Sequence, residues 1–212
     1  MFLVNADDFG MSLGVNEAIF DLILTGTINS CSIMCNMPYT QDAINKIRIL
    51  LNRNIKFNIN LHFNITEGCS LNRNTIYTID NIYIKDTDVI LKELLQQAEF
   101  LKDNGIVFQG IDCHHNVNLK NDIVDNIIKQ QFNVRVRDYR VYKKLYGNSE
   151  DIILAKGLCS KEYNEIMVHP ASFIDNYLSN CTTYCKERID EYKLLKKNAD
   201  LIKLMVKRRN AG

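Results

Sequence analysis

The chain has no tryptophan and only two prolines among its 212 residues. No stretch approaches the roughly 18 consecutive apolar residues of a membrane-crossing helix, so no membrane span is expected. Neither charge is in excess: 26 Lys and Arg stand against 25 Asp and Glu, a formal charge of +1. A surface built for nucleic acid carries a strong basic excess, so that class is excluded. The basic cluster Lys207-Arg208-Arg209 reads as a solvated helix end favoured by the helix dipole. No CxxC pair occurs. The seven cysteines are scattered, and the pairs Cys31/Cys35 and Cys181/Cys185 have no His partners. They read as reduced, mostly buried thiols rather than as zinc ligands or disulfides. Residues 1–10 lack a basic n-region and carry two acids, so no secretory signal is expected and the expected compartment is cytoplasmic.

What is present is ordinary for a globular protein: 46% hydrophobic and 24% charged residues. The length suits a single domain over residues 1–212 with a sizeable core. A short apolar run at residues 2–5 predicts a buried strand, followed by a loop holding Asp7-Asp8. Val15, Ala18, Ile19, Leu22 and Ile23 share one face of a helix over 14–25, with Gly26 at its C-terminal cap. A strand is expected at 30–35 and a helix from Pro38, in its first turn, to about Leu51. Further strands are expected at 55–61, 106–111, 132–136 and 165–168, and helices at about 87–104, 121–131 and 183–209, the last broken near Asn198. A small hairpin is expected around 76–84, and residues 138–163 carry no clear pattern. Strand–loop–helix repetition of this kind predicts a parallel sheet or barrel with helices outside.

All four histidines, His62, His114, His115 and His169, fall just past the ends of expected strands. Asp7-Asp8 and Asp112 do so too. In a parallel barrel those ends converge on one face, where active sites form. Two adjacent aspartates repel, and a divalent metal is one source of compensating charge. One carboxylate with two neutral imidazoles makes a divalent-metal site with positions left for water and substrate. A second carboxylate could accept a proton from water, and a further His could donate one to a leaving group.

Four motifs in register then resemble one family, the YdjC/ChbG-like carbohydrate deacetylases. They are Asn5-Ala6-Asp7-Asp8-Phe9-Gly10 with Gly14-Val15-Asn16, Leu61-His62-Phe63-Asn64-Ile65-Thr66-Glu67-Gly68, Asp112-Cys113-His114-His115 and Glu165-Ile166-Met167-Val168-His169-Pro170. The resemblance implies an α/β fold: a distorted (β/α) TIM-like barrel with its site at the C-terminal ends of the parallel strands, which a short span between about 138 and 164 would leave incomplete. It implies a metal-dependent hydrolase that removes acetyl groups from N-acetylated sugars, with one divalent ion, Mg2+ by resemblance and Zn2+, Mn2+ or Co2+ as alternatives. Asp8, His62 and His114 are implied metal ligands, Asp7 the general base, and His169 the acid or an oxyanion stabiliser. Arg135 matches a strand-end arginine that would orient Asp7 or bind substrate. Asp112, His115, Glu67 and Asn64 are read as substrate contacts or supports of the ligands, with His115 as the alternative ligand to His114 and Asp112 as the partner of a metal-bound imidazole.

The chain departs from the family pattern at Asn116 and Asn118, where further histidines are usual, and in a short span between about 138 and 164. Two other readings therefore stay open. One is a shortened relative that binds a carbohydrate without turnover. The other is a metal-dependent hydrolase of another bond such as a phosphoester, although no basic or glycine-rich anion loop adjoins the motifs. The expected partner is a small carbohydrate. A shortened barrel with exposed edges would also gain from pairing as a homodimer.

Overall fold

In the computed structural model, which describes residues 1–211, the initial apolar run becomes β1 (Leu3–Phe9), longer than its apolar residues alone predict. The strand carries Asp7 and Asp8 inside its last turns of pleat rather than in a following loop. Six more strands follow in the chain: β2 (Ser30–Ile33), β3 (Asn58–Phe63), β4 (Gly110–Cys113), β5 (Arg135–Val136), β6 (Val141–Tyr142) and β7 (Glu165–Val168). They form one sheet in the order β5-β4-β3-β2-β1-β7-β6, and every pairing is parallel.

The helices are α1 (Leu13–Leu24), α2 (Thr40–Asn52), α3 (Thr87–Asp103), α4 (Asp122–Gln131), α5 (Asp151–Cys159), α6 (Asn176–Cys181), α7 (Lys186–Lys197) and α8 (Ala199–Ala211). Local chemistry sets their starts: Ser12, Asp86, Asn121 and Asp175 each cap a first turn through a side-chain oxygen. Pro38 lies before α2 rather than in its first turn, which Tyr39 precedes. The expected hairpin near 76–84 is not formed. A single antiparallel bridge joins Cys69 to Ile76, and a 3-10 turn capped by Thr78 occupies Ile79–Tyr83. The unpatterned stretch 138–163 holds β6 and α5.

The sheet curls into an incomplete barrel, because no ladder joins its two edges, β5 and β6. Those edges are consecutive in the chain and are linked only by residues 137–140. Alternate strand residues divide the two faces. Val4, Ala6, Cys31, Ile33, Ile59, Leu61, Ile111, Ile166 and Val168 share an apolar cluster with Val15, Ile19 and Leu22 of α1 and Ile44 and Ile47 of α2. The opposite set is polar and buried: Asn5, Asp7, Ser30, Ser32, Asn60, His62, Asp112 and Glu165. Asn60 donates to Asn5 (3.0 Å) and Ser30 donates to Asn5 (2.5 Å), so these groups satisfy each other inside the curl. Gly110 is required here, since a Cβ would lie 2.7 Å from Asn60 Oδ1.

Candidate metal centre and catalytic cleft

Neighbouring residues of a regular strand point to opposite faces, yet Asp7 and Asp8 line the same cleft. A bulge explains it. The β1–β2 register shifts between Ala6 and Phe9, and Asp8 takes a left-handed backbone with φ 69°. Aspartate is among the few residues that accept this region without large strain. The bulge therefore turns the second carboxylate toward the first.

Each carboxylate has its own arginine. Arg137 grips Asp7 in a two-pronged contact, with Nη2 to Oδ1 at 2.6 Å and Nη1 to Oδ2 at 2.7 Å, and Asn5 also donates to Oδ1 at 2.7 Å. Arg188 of α7 donates to Asp8 Oδ2 at 2.6 Å. Burial pushes both carboxyls up, but Arg137 holds Asp7, and Arg188 holds Asp8, well below the usual carboxylate range. So the positive charge that adjacent aspartates demand comes first from two guanidiniums.

The arginine assignment in the sequence reading is corrected accordingly. Arg135 does not reach Asp7. It donates to Glu165 at 2.8 Å, and Glu165 in turn holds Arg137 Nε at 2.9 Å. Arg188 and Glu191 also escaped that reading. Their signal lies in α7, where Arg188, Glu191, Leu194 and Leu195 form its buried face, which places two charges on an apolar stripe.

Asp8 Oδ1 is the feature that defines the centre. It is buried and has no hydrogen-bond donor among the described residues, while His62 Nε2 and His114 Nδ1 stand 3.2 and 3.1 Å away. The far nitrogen of each ring is committed elsewhere. His62 Nδ1 is bonded to Asp112, which Ser32 supports at 2.6 Å, and His114 Nε2 donates to Glu67 Oε2 at 2.9 Å. In the neutral tautomers that keep their N–H groups on those carboxylates, both rings present lone pairs toward Asp8, and with its oxygen they form a donor set that a divalent cation fits. Burial pushes the His62 ring down, but Asp7 and Asp112 overcome it and bring it to about 10. In the absence of a cation, a proton is what this negative surrounding attracts.

The His115 ring lies beside that of His114, with centroids 4.0 Å apart, and Glu67, His114 and His115 make a second group whose atoms could hold an ion. His115 and Asn116 both adopt left-handed φ, 54° and 52°, so the His115 ring turns to Thr66 Oγ1 at 2.9 Å. Asn64 lies buried under the cleft, where its side chain accepts from the N–H groups of Thr66 and Glu67 at 3.1 Å and shapes their turn. Glu67 supports His114 and does not touch His62. His169 follows β7, with Nε2 3.8 Å from Asp7 Oδ2. Burial pushes its ring down to about 4, so it is neutral near pH 7. The whole cleft has a volume of about 300 Å³, and Lys120 and Lys143 also line it.

Behind His169 sits Glu191, which accepts the His169 backbone N–H at 2.7 Å. Burial pushes its carboxyl up from 4.5 to about 7. Across that window the folded state keeps a proton that the unfolded chain has lost, so this group's contribution to stability falls as pH rises from about 4.5 to about 7. Glu191→Gln removes that dependence. The melting temperature of the variant relative to the parent is therefore expected to rise between about pH 5 and pH 8. A difference that stays constant in thermal melts across that range would refute the raised carboxyl.

The profile of a family described as YdjC-like protein matches residues 1–150. Similar proteins include a carbohydrate deacetylase of Thermoanaerobacter pseudethanolicus, 26% identical over 91% of this chain and 89% of that protein. Another is a carbohydrate deacetylase of Vibrio cholerae serotype O1, 27% identical over 96% of this chain and 90% of that protein. Among solved structures, one from Enterococcus faecalis V583, provisionally assigned to cellobiose-phosphate cleavage, superposes with a TM-score of 0.76. It is 24% identical and covers 98% of this chain and 94% of its own. A family 4 carbohydrate esterase from Streptomyces lividans, solved with acetate, gives a TM-score of 0.54 at 10% identity, over 93% of this chain and 88% of its own. Those two likenesses concern the fold.

Proposed function

The chain belongs to the YdjC-like protein family, and on that premise we propose that it is a metal-dependent N-deacetylase of carbohydrates. The observation that carries this reading is the convergence of Asp8 Oδ1, His62 Nε2 and His114 Nδ1 beside a separate Asp7–His169 pair. The names of the curated relatives support it.

A divalent ion held by Asp8, His62 and His114 would polarise the acetyl carbonyl and acidify a water molecule. Asp7 is placed to take a proton from the attacking water as the water oxygen bonds to the carbonyl carbon. Arg137 fixes the Asp7 carboxylate in one plane through both of its oxygens, at the wall of the cleft. Arg188 holds the second Asp8 oxygen and leaves the first for the ion. His169, neutral at rest, receives the proton from Asp7 and passes it to the nitrogen as the C–N bond breaks. Acetate and a free sugar amine leave. General acid–base groups contribute about 10²–10⁴-fold each, so neither Asp7 nor His169 is dispensable.

The test is acetate release from a panel of N-acetylated sugars, with and without chelator. Release is expected to stop on chelation and to return when one of Mg2+, Zn2+, Mn2+ or Co2+ is added back. Release that survives chelation would remove the metal from the reaction. No release from any sugar by metal-loaded protein would favour carbohydrate binding without turnover.

One observation favours a second reading. Lys120 and Lys143 come from separate segments, and neither forms an ion pair among the described residues. Two unpaired ammonium groups on a cleft suit an anionic substrate such as a phosphoester. Phosphate release, measured in the same panel, separates that reaction from deacetylation.

A further inference from the structure

The loop after β6 brings Tyr146 to the rim of the cleft, where its side chain is 47% exposed. Scattered exposed aromatics are normal on a surface; Tyr83 and Tyr139, both 77% exposed, are examples. Tyr146 differs from them in three ways. Its ring lies parallel to Tyr184, with centroids 4.1 Å apart and planes at 13°. It meets His169 edge-on at 4.8 Å. And its loop is tied down, because Gly147 N–H donates to the Tyr184 hydroxyl, which donates to Glu191. The same Glu191 holds the His169 backbone, so ring and histidine share one anchor.

We propose that the Tyr146–Tyr184 stack is the platform on which the sugar ring attached to the leaving nitrogen lies. The proposal rests on the deacetylase reading for its direction. The acetyl carbonyl points toward Asp8, His62 and His114, so the nitrogen points toward His169. Tyr146 packs against His169, and whatever the nitrogen carries falls on Tyr146. A pyranose offers a face of C–H groups with hydroxyls around its edge. A rigid aromatic ring backed on one side is complementary to such a face. The stack therefore discriminates, favouring a cyclic N-acetylamino sugar over an acyclic N-acetylamine through the face of Tyr146.

The test uses metal-loaded, full-length protein with N-acetylglucosamine, N-acetylgalactosamine and N-acetylmannosamine, and N-acetylethanolamine as the acyclic control. Binding is read by ligand-observed NMR, and KM and kcat by acetate release. Tyr146→Ala and Tyr146→Leu are expected to weaken the sugars that the parent binds by about tenfold, the scale of one aromatic contact. Tyr146→Phe should stay within about twofold, since the ring face and not the hydroxyl does the binding. The loss should appear in KM with kcat preserved, because the contact is made in ground and transition states alike. Equal binding by parent and Tyr146→Ala, parent-like binding by Tyr146→Leu, or no binding of any ring by the parent would overturn the platform. Tyr146-dependent sugar binding without acetate release would retain the platform and sink the deacetylase reading. Acetate release with a KM indifferent to Tyr146 would do the reverse.

Discussion

Asp7→Asn is expected to abolish acetate release, a fall of about 10²–10⁴-fold in kcat, while divalent-metal binding stays intact. Asparagine keeps the shape of aspartate and still offers an oxygen to Arg137 and Asn5, which hold that position at 2.6–2.7 Å. What it loses is the charge that lets it take a proton. The converging atoms of Asp8, His62 and His114 are not part of the substitution. Metal binding, followed by calorimetry, is therefore expected near the parent value, with kcat alone reduced. Acetate release that survives the change would show that another group takes the proton. Loss of metal together with activity would show that Asp7 belongs to the ion's own ligand set.

The two aspartates have separate surroundings, and that separation is where the sequence stops being readable. The alternation of strands and helices was legible because the outward strand residues are apolar and the helices bury one face each. The candidate site was legible in outline, since Asp7, Asp8, His62, Asp112, His114 and His169 all lie near strand ends. The bulge at Asp8 was not legible, because no residue type marks it. The side chains inside the curl had a signal of period two: Asn5 and Asp7, Ser30 and Ser32, Asn60 and His62, Gly110 and Asp112. Read as polar alternation, they separate the cleft side of each strand from the helix side.

Arg135 and Arg137 illustrate the limit from the other direction. Arg135 opens β5 and Arg137 follows it, two residues apart, and β5 is only two residues long. Periodicity cannot fix a register over so short a stretch, so composition could not say which arginine reaches Asp7. The 3-10 turn at Ile79–Tyr83 is similar: its polar cap at Thr78 reads equally well as a hairpin turn until tertiary contacts decide. Arg188 depends on a contact 180 residues apart in sequence, which no local pattern encodes.

The largest stability effect is expected at Arg137. Its guanidinium is 1% exposed and touches three carboxylates: Asp7, Glu165 at 2.6 Å and Asp112 at 3.3 Å. It also joins elements that no ladder connects, since it follows β5 while Asp7 lies on β1 and Glu165 on β7. Arg137→Met fills similar space but leaves three buried carboxylates without their shared counter-charge. Removing one member of a buried ion pair costs about 3–5 kcal/mol, which for a chain of this size lowers the melting temperature on the order of 10 °C. The pH dependence gives the claim its sign. In the parent, the folded pKa of Asp7 lies below the usual 3.8, so its pairing is fully stabilising above about pH 4 and is lost only as pH falls further. In the variant, burial acts on Asp7 without Arg137 to oppose it, so its carboxylate takes up a proton at a pH above its unfolded value. The folded state then binds more protons than the unfolded chain, and stability rises as pH falls. The gap in melting temperature between parent and Arg137→Met should therefore narrow from about pH 8 to about pH 5. A variant that melts within a degree or two of the parent, or a gap that does not change with pH, would mean that Arg137 is not what holds these acids together. Arg137→Lys is the informative companion. It restores one charge but cannot make the planar two-pronged contact to Asp7, so it is expected to recover stability more than kcat.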